Sequence, residues 1–197
     1  MPGLLDQLAG QLSGDALESL SSTIGADQKQ TQSAMAAALP LLLGALAKNA
    51  AKPKGAEALD KALARDHDGS IFDNLSGALR SPNLEDGQGI LKHVLGGRRD
   101  QVESSLSKAS GLGGDQVTKM LATLAPLVLG SLGRAKRSSG MGVEDLSNML
   151  NEERNAMESK EPALGGLLRG LLDRDGDGSI LDDLAGGALG RLFGRGN

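Results

Sequence analysis

A long segment near the start of the chain recurs, without a gap, 86 positions later. Residues 20–46 read LSSTIGADQKQTQSAMAAALPLLLGAL, and residues 106–132 read LSKASGLGGDQVTKMLATLAPLVLGSL. Most leucines and glycines, and the proline, fall at corresponding positions in the two segments. Such agreement over this length indicates an internal duplication, in which each copy is one structural unit. We therefore predict that residues 3–48 and 89–134 form the same three-helix unit.

The first two helices of each copy are predicted to be short. Leu4, Leu5, Leu8 and Leu12 recur at the spacing that places side chains on one face of a first helix. The second helix is expected over about residues 15–24 and, in the second copy, 99–110. Glycine follows each of these two ranges, as is common where a helix ends.

The third helix of each copy is longer and contains a proline. We expect it to begin near Asp27 or Asp115, whose carboxylates can accept hydrogen bonds from the free amides of the first turn. It then passes through Pro40 or Pro126. A proline removes one helical hydrogen bond and crowds the preceding turn, so the helix is expected to bend there or to break into two.

Few of the side chains that strands favour are present. The chain has two Phe, no Tyr and no Trp, whereas strands draw on aromatic and β-branched residues. Leu and Ala, which are good helix formers, are frequent instead. We predict an all-α fold, a duplicated small helical bundle with short acidic turns between its helices.

The repeat divides the 197 residues into two predicted halves. Each half continues past its repeat with a helix, an acidic turn and a further helix. The first half, 1–86, contains the repeat 3–48 and this helix–turn–helix; the second half, 87–197, contains the repeat 89–134, a basic Ser/Gly-rich linker at 135–142, a helix at about 143–157, and the C-terminal acidic loop with a final helix.

Charge, cysteine content and apolar runs exclude several classes of function. A formal net charge of −4 gives no field that attracts nucleic acid, and the absence of cysteine excludes disulfides and thiolate metal sites. The apolar runs 34–47 and 120–132 are shorter than the ~20 residues of a membrane span. The first residues lack the basic and apolar regions of a secretory signal. We therefore predict a cytoplasmic protein without a membrane span, and export by a leaderless route is left open.

The C-terminal acidic loop carries the main candidate site. Calcium-binding loops of the EF-hand type supply oxygens at positions 1, 3, 5, 7 and 12, with glycine at position 6. Aspartates occupy positions 1, 3 and 5 here, glycine occupies position 6, and Leu184 stands where the last acidic ligand is expected. The candidate Ca²⁺ ligands are Asp173, Asp175, Asp177, Ser179, Asp182 and Asp183. The alternative is a plain turn in which Ser179 caps the next helix and Asp182 completes a capping box.

A related loop lies in the first half of the chain. It begins at Ala64, which offers no side-chain oxygen, and leaves Asp66, Asp68 and Asp73 as weaker candidate metal ligands. His67 of this loop is expected to be solvated. The second histidine, His93, is expected to be a partly buried helix residue, because no serine or acid accompanies it in a catalytic order.

The amino-acid sequences of several segments resemble those of a known family. The opening LLDQLAGQL, the segments ALPLLLGALAKN, DGQGILKHVLG and SGLGGDQVTKMLATLAPLVLGSLG, and the ending DGDGSILDDL are similar to the YidB-like family, the bacterial domain of unknown function 937. The resemblance covers most of the chain and implies a small all-helical protein. It implies no activity and no catalytic residues. The chain departs from the pattern at His67, where the C-terminal loop has Gly176.

Three classes of function follow from these features. The first is a non-enzymatic helical interaction or structural protein that binds a protein partner or self-associates, with the amphipathic segment 180–193 as a docking element. The second is a calcium-dependent assembly or regulatory module, in which the acidic loop orders that segment. The third and least supported is a metal-dependent hydrolase, since oxygen-rich sites also suit magnesium.

Overall fold

The computed structural model describes residues 3–160. Every regular element among these residues is a helix, which confirms the predicted all-α class. The six candidate calcium ligands of the C-terminal loop, Asp173, Asp175, Asp177, Ser179, Asp182 and Asp183, lie outside the described residues, as does the helix expected after them.

The helices of the described residues follow one another with short connections. They are α1 (Leu4–Gln11), α2 (Asp15–Ile24), α3 (Gln28–Ala50), α4 (Pro53–Arg65), α5 (Leu75–Arg80), α6 (Leu84–Leu95), α7 (Arg99–Ser110), α8 (Gly114–Ser139) and α9 (Val143–Lys160), with 3₁₀ segments at Ser70–Asn74 and Gly96–Arg98. The predicted second helices therefore end where expected, at Gly25 and Gly111, and both glycines adopt the left-handed conformation.

The two long helices begin in different ways. The Asp27 carboxylate accepts a hydrogen bond of 2.8 Å from the Lys29 amide and caps α3, as predicted. The corresponding prediction for Asp115 is wrong, because Asp115 lies inside the first turn of α8. Gly113 is the residue before the helix, and its amide donates to the Gln116 side chain at 2.9 Å. A glutamine at the third helical position can reach back to this amide, so an aspartate cap is not required.

Both proline-containing helices remain continuous. Pro40 lies inside α3 and Pro126 inside α8, so neither helix breaks in two. Pro126 has no N–H to offer the carbonyl of Ala122, four residues earlier. Gly87 of α6 approaches that same carbonyl so closely that a Cβ at Gly87 would overlap its oxygen. The packing of α6 against α8 thus covers the backbone position that the proline leaves without its helical donor.

The linker predicted at 135–142 is mostly helical, because α8 continues to Ser139. Its basic side chains bind acidic groups that precede them in the chain. Lys136 forms an ion pair of 2.6 Å with Asp60 of α4, and Arg137 forms one of 2.8 Å with Asp68. These ion pairs attach the basic, serine-rich segment to acidic residues of the first half. The composition of the segment alone does not indicate such partners.

One hydrophobic cluster contains residues from α1 to α9, including both predicted halves of the chain. The long helices α3 and α8 contact each other and supply its centre. The leucines that follow the two helical prolines are all buried: Leu41, Leu43, Leu46, Leu127, Leu129 and Leu132. The two halves are therefore recognised in the sequence, but within the described residues both halves contribute to the same hydrophobic core.

The helix bounds of the two copies agree in part. At an offset of 86, α2 and α7 end at matching residues, and α3 and α8 begin at matching residues. The first helices differ, since α1 begins at Leu4 whereas α6 begins at Leu84, before the matching residue Ile90. A common three-dimensional unit for the two copies stays a prediction.

Helix α3, Gln28–Ala50, is longer than the apolar run 34–47 that it contains. The prediction that the chain has no membrane span used the length of that run. The 23 residues of α3, with a mean hydropathy of 1.3 over the most apolar window, meet the length and composition of a membrane-spanning helix. In the structure 72% of that window is buried inside the protein, as in the core helix of a water-soluble fold. The absence of a span thus stays a prediction.

Candidate binding groove between α4 and α6

Helices α4 and α6 both pack against α3 and α8, yet they contact each other only marginally. The gap between them is a groove of about 710 Å³, which we call the α4–α6 groove. Its volume lies within the ~300–1,000 Å³ range of common ligand sites. The groove has an end near the start of α4 and the end of α6, marked by Asn49, and an opposite end near the residues that follow α4.

The floor and walls of the groove are largely apolar. Leu46 of α3, Leu129 of α8 and Val94 of α6 form the floor and are buried. Leu59 of α4 and Ile90 of α6 stand half-buried on the two walls, where they face the open space. This apolar surface favours an apolar occupant, because covering it removes hydrocarbon from water.

Close backbone contacts hold the two walls in place. A Cβ at Gly55, in the first turn of α4, would overlap the Asn49 carbonyl at the end of α3. Asn49 also donates from its side-chain nitrogen to the Val94 carbonyl, over 3.0 Å, near the end of α6. One residue of α3 therefore anchors both walls, while Gly87 sets the approach of α6 to α8.

The rim of the groove carries more cations than anions. Lys52, Lys61 and Arg65 line its α4 side and are exposed, whereas Asp66 and Asp86 are its two acidic side chains. Arg65 pairs with Asp66 at 3.3 Å, where both side chains are more than half exposed. Among the described residues, Lys52 and Lys61 form no ion pair or side-chain hydrogen bond. They are available to acidic groups of a bound molecule.

Both histidines of the chain line the groove. His93 is exposed, contrary to the expected partial burial, whereas the next residue of α6, Val94, is buried. Its Nδ1 lies 2.8 Å from the Gly89 carbonyl of the same helix. His67 is half-buried after α4, and its backbone amide donates to the Ala62 carbonyl. Neither imidazole forms a hydrogen bond with a carboxylate among the described residues.

The acidic turn at 66–74 is held by arginines at the end of α8. The weaker candidate ligands separate onto different partners: Asp66 pairs with Arg65, Asp68 with Arg137 at 2.8 Å, and Asp73 with Arg134 at 3.5 Å. Residues 3–160 contain no cluster of three or more His, Asp or Glu side chains suited to a metal ion. Two arginines at the end of α8 and Arg65 of α4 thus pair with the three carboxylates that the sequence offers as metal ligands.

Close packing fits this turn onto α8. Gly69 has a φ of 99°, which favours glycine, and a Cβ there would crowd Arg134. The Arg134 guanidinium lies 4.9 Å from the centre of the Phe72 ring, a cation–π distance. A Cβ at Gly133 would overlap the His67 carbonyl. The turn is therefore a structural element packed against α8, and its residues Asp66 and His67 line the groove.

The Asp68 carboxylate of this turn has a lowered pKa. Hydrogen bonds from the Ser70 amide, over 3.0 Å, and from the Ser70 side chain hold the pKa of Asp68 below its ordinary value. The Arg137 charge lowers the pKa further. An aspartate that accepts the amide of the residue two positions later stabilises a turn, so this contact supports the turn geometry at 68–70.

The α4–α6 groove was not predicted from the sequence. Residues 53–65 of α4 indicate a lysine- and alanine-rich solvent face, and the sequence of α6 indicates a short amphipathic helix. The available signals were glycines at positions 55 and 87, which lie inside helices and mark close approach. They do not show which helix is approached, so they could not locate the gap.

The fold and the groove define a class, an all-helical protein with an open, largely apolar cleft between two helices. Within this class, the sequence profile of the family described as "Bacterial protein of unknown function (DUF937)" matches residues 6–135. The chain belongs to that family, as its resemblance to YidB-like proteins indicates. The matched range contains both walls of the groove. No curated protein and no solved structure matches the chain.

Proposed function

We propose that the protein is a non-enzymatic interaction module that binds an apolar polypeptide segment in the α4–α6 groove. The partner is another protein or another part of this chain. The observation that carries the proposal is the combination of an apolar floor with an exposed cationic rim at Lys52 and Lys61. Helix-in-groove recognition uses the same combination, with apolar side chains facing the floor and charges at the edge.

The shape of the groove favours a helical segment. Its walls are two helices that both pack against α3 and α8, so a third helix between α4 and α6 would cover the space between them. Leu59 and Ile90 would then each be covered from one side. Half-buried apolar residues on both walls gain the most from such an occupant, at about 25 cal/mol per Å² of apolar surface removed from water.

The polar groups of the groove support binding more than catalysis. General acid–base catalysis requires side chains within hydrogen-bond reach of the reacting group and tuned by their neighbours. His93 contacts a backbone carbonyl of its own helix. Asp66 contacts Arg65, and Asp86 has no histidine as a hydrogen-bond partner among the described side chains.

Site-specific photo-crosslinking tests the proposal. Ala58 is exposed on α4 and lines the groove, whereas Ala64 is exposed on the same helix away from it. A benzophenone-bearing residue replaces each alanine in turn in the full chain, which is then irradiated in cells. We expect position 58 to give discrete polypeptide adducts, identified by mass spectrometry, and position 64 to give few. Equal yields at both positions, or no adduct at position 58, would contradict the proposal.

A second candidate function is calcium-dependent control of the same interaction. The sequence pattern Asp173, Asp175 and Asp177 followed by Gly178 favours it, because three alternating aspartates exceed what a helix cap needs. Bound calcium would relieve their mutual repulsion and stabilise the folded protein by mass action. Calorimetry should then show a calcium-dependent rise in Tm that Asp175→Ala abolishes. If millimolar calcium gives no heat of binding and no change in Tm, the loop is only a turn that caps the next helix.

A further inference from the structure

We propose that residues 180–193 of the same molecule occupy the α4–α6 groove. The inference rests on the proposed function and names its occupant. Residues 180–193 lie outside the family match at 6–135, whereas both walls of the groove lie inside it. The inference therefore places a segment from outside the family domain on a surface of that domain.

The segment has the apolar pattern that such a groove requires. Residues 180–193 read ILDDLAGGALGRLF. Leu181, Leu184 and Leu192 fall at spacings that share one face of a helix, and Phe193 adds one of the two phenylalanines in the chain. Gly186, Gly187 and Gly190 disfavour an isolated helix, so the helix would be stabilised mainly by the surface it covers.

The acidic residues in and directly before the segment complement the cations of the rim. Residues 180–193 contain Asp182, Asp183 and Arg191, and residues 173–179 add three aspartates and one arginine. The α4 side of the groove presents Lys52 and Lys61, which have no carboxylate partner among the described residues. Opposite charges at the edge of an apolar contact favour this occupant over a basic segment and set its orientation.

The chain is long enough to reach the groove within one molecule. Near the start of α9, the Ser147 hydroxyl donates to the Ala50 carbonyl, beside the Asn49 end of the groove. Lys160 lies thirteen residues further along α9, on the order of 20 Å away. Residues 161–179 can span at most about 60 Å. A tether of this length gives an effective concentration on the order of millimolar, so the intramolecular contact outcompetes a second copy at micromolar protein.

Methyl NMR on the full chain tests the inference. Isoleucine occurs at positions 24, 71, 90 and 180, so labelled Ile δ1 methyls give four signals, of which Ile90 reports on the groove. Leu184→Glu removes an apolar anchor of the segment, whereas Arg195→Glu changes a charge beyond it. We expect Leu184→Glu to shift the Ile90 signal by more than its linewidth and to leave Ile24 in the core unchanged. Arg195→Glu should leave both signals unchanged.

The outcomes separate the inference from the proposed function. An Ile90 signal that is insensitive to Leu184→Glu overturns the assignment of residues 180–193 to the groove. A shift that disappears on dilution shows that the segment comes from a second copy, and also overturns the intramolecular assignment. In either case the crosslinks formed from position 58 test the proposed function separately. An adduct with a peptide of another protein supports the proposed function, and the absence of any polypeptide adduct contradicts it.

Discussion

At the scale of single residues, glycines decide where helices approach one another. Gly87 and Gly89 both lie in α6, but a Cβ at Gly87 would overlap the Ala122 carbonyl, whereas one at Gly89 would meet nothing. The same glycine-to-alanine change is therefore expected to have opposite effects at the two positions. The structural reason is contact with α8, since helix propensity alone favours alanine at both.

Gly87→Ala should destabilise the protein. Its methyl group would have to displace the backbone of α8 or α6, and overpacking of this kind costs about 1–3 kcal/mol. Gly89→Ala, the matched control, should raise stability by up to about 1 kcal/mol. Thermal unfolding followed by circular dichroism measures both. Equal changes in Tm for the two variants would contradict the close contact between α6 and α8.

Asp68 predicts a pH dependence of stability. Its pKa in the folded protein lies below the ordinary value because of the Ser70 amide, the Ser70 side chain and Arg137. A carboxyl group with a lowered folded pKa stabilises the protein above its unfolded pKa, near 4, and loses this contribution as the pH falls through the folded pKa. The stability difference between wild type and Asp68→Asn should therefore be present at pH 6 and shrink below about pH 4. A difference that is constant down to pH 2 would contradict this account.

At the scale of helices, α3 provides the centre of the fold. From Ala38 to Ala47 every residue of α3 is buried, so this part of the helix is surrounded by other elements. A helix that is apolar all round belongs to a core, and its contribution to stability comes from packing.

Leu43→Ala in α3 should cost on the order of 2–5 kcal/mol, because the side chain is 1% exposed and its loss leaves a cavity. Leu17→Ala in the half-buried face of α2 is the control and should cost less, since solvent can fill part of the space. Calorimetric Tm values compare the two. A Leu43→Ala protein as stable as wild type would mean that this face of α3 is not packed.

Sequence patterns predicted the helices better than their connections. Glycines in the left-handed region, at positions 25 and 111, mark helix ends by a local property of the backbone, and both ends were predicted correctly. The linker at 135–142 was not, because Lys136 and Arg137 extend α8 by pairing with Asp60 and Asp68, which are distant in sequence. A local pattern contains no information about such partners.

At the scale of the whole molecule, the candidate site is a product of packing. The metal interpretation of Asp66, Asp68 and Asp73 used spacing alone, whereas the structure assigns each carboxylate to an arginine. The groove arises because α4 and α6 rest on the same two helices without closing on each other. Neither wall has a sequence motif that marks it, so only the arrangement of the helices shows the site.

A crystal structure of the full chain tests the central claim most directly. The account predicts that α4 and α6 remain apart and that an apolar polypeptide segment lies between Leu59 and Ile90, over Leu129. A structure in which Leu59 and Ile90 pack against each other and the groove is closed would contradict it, because no surface would then remain for a partner.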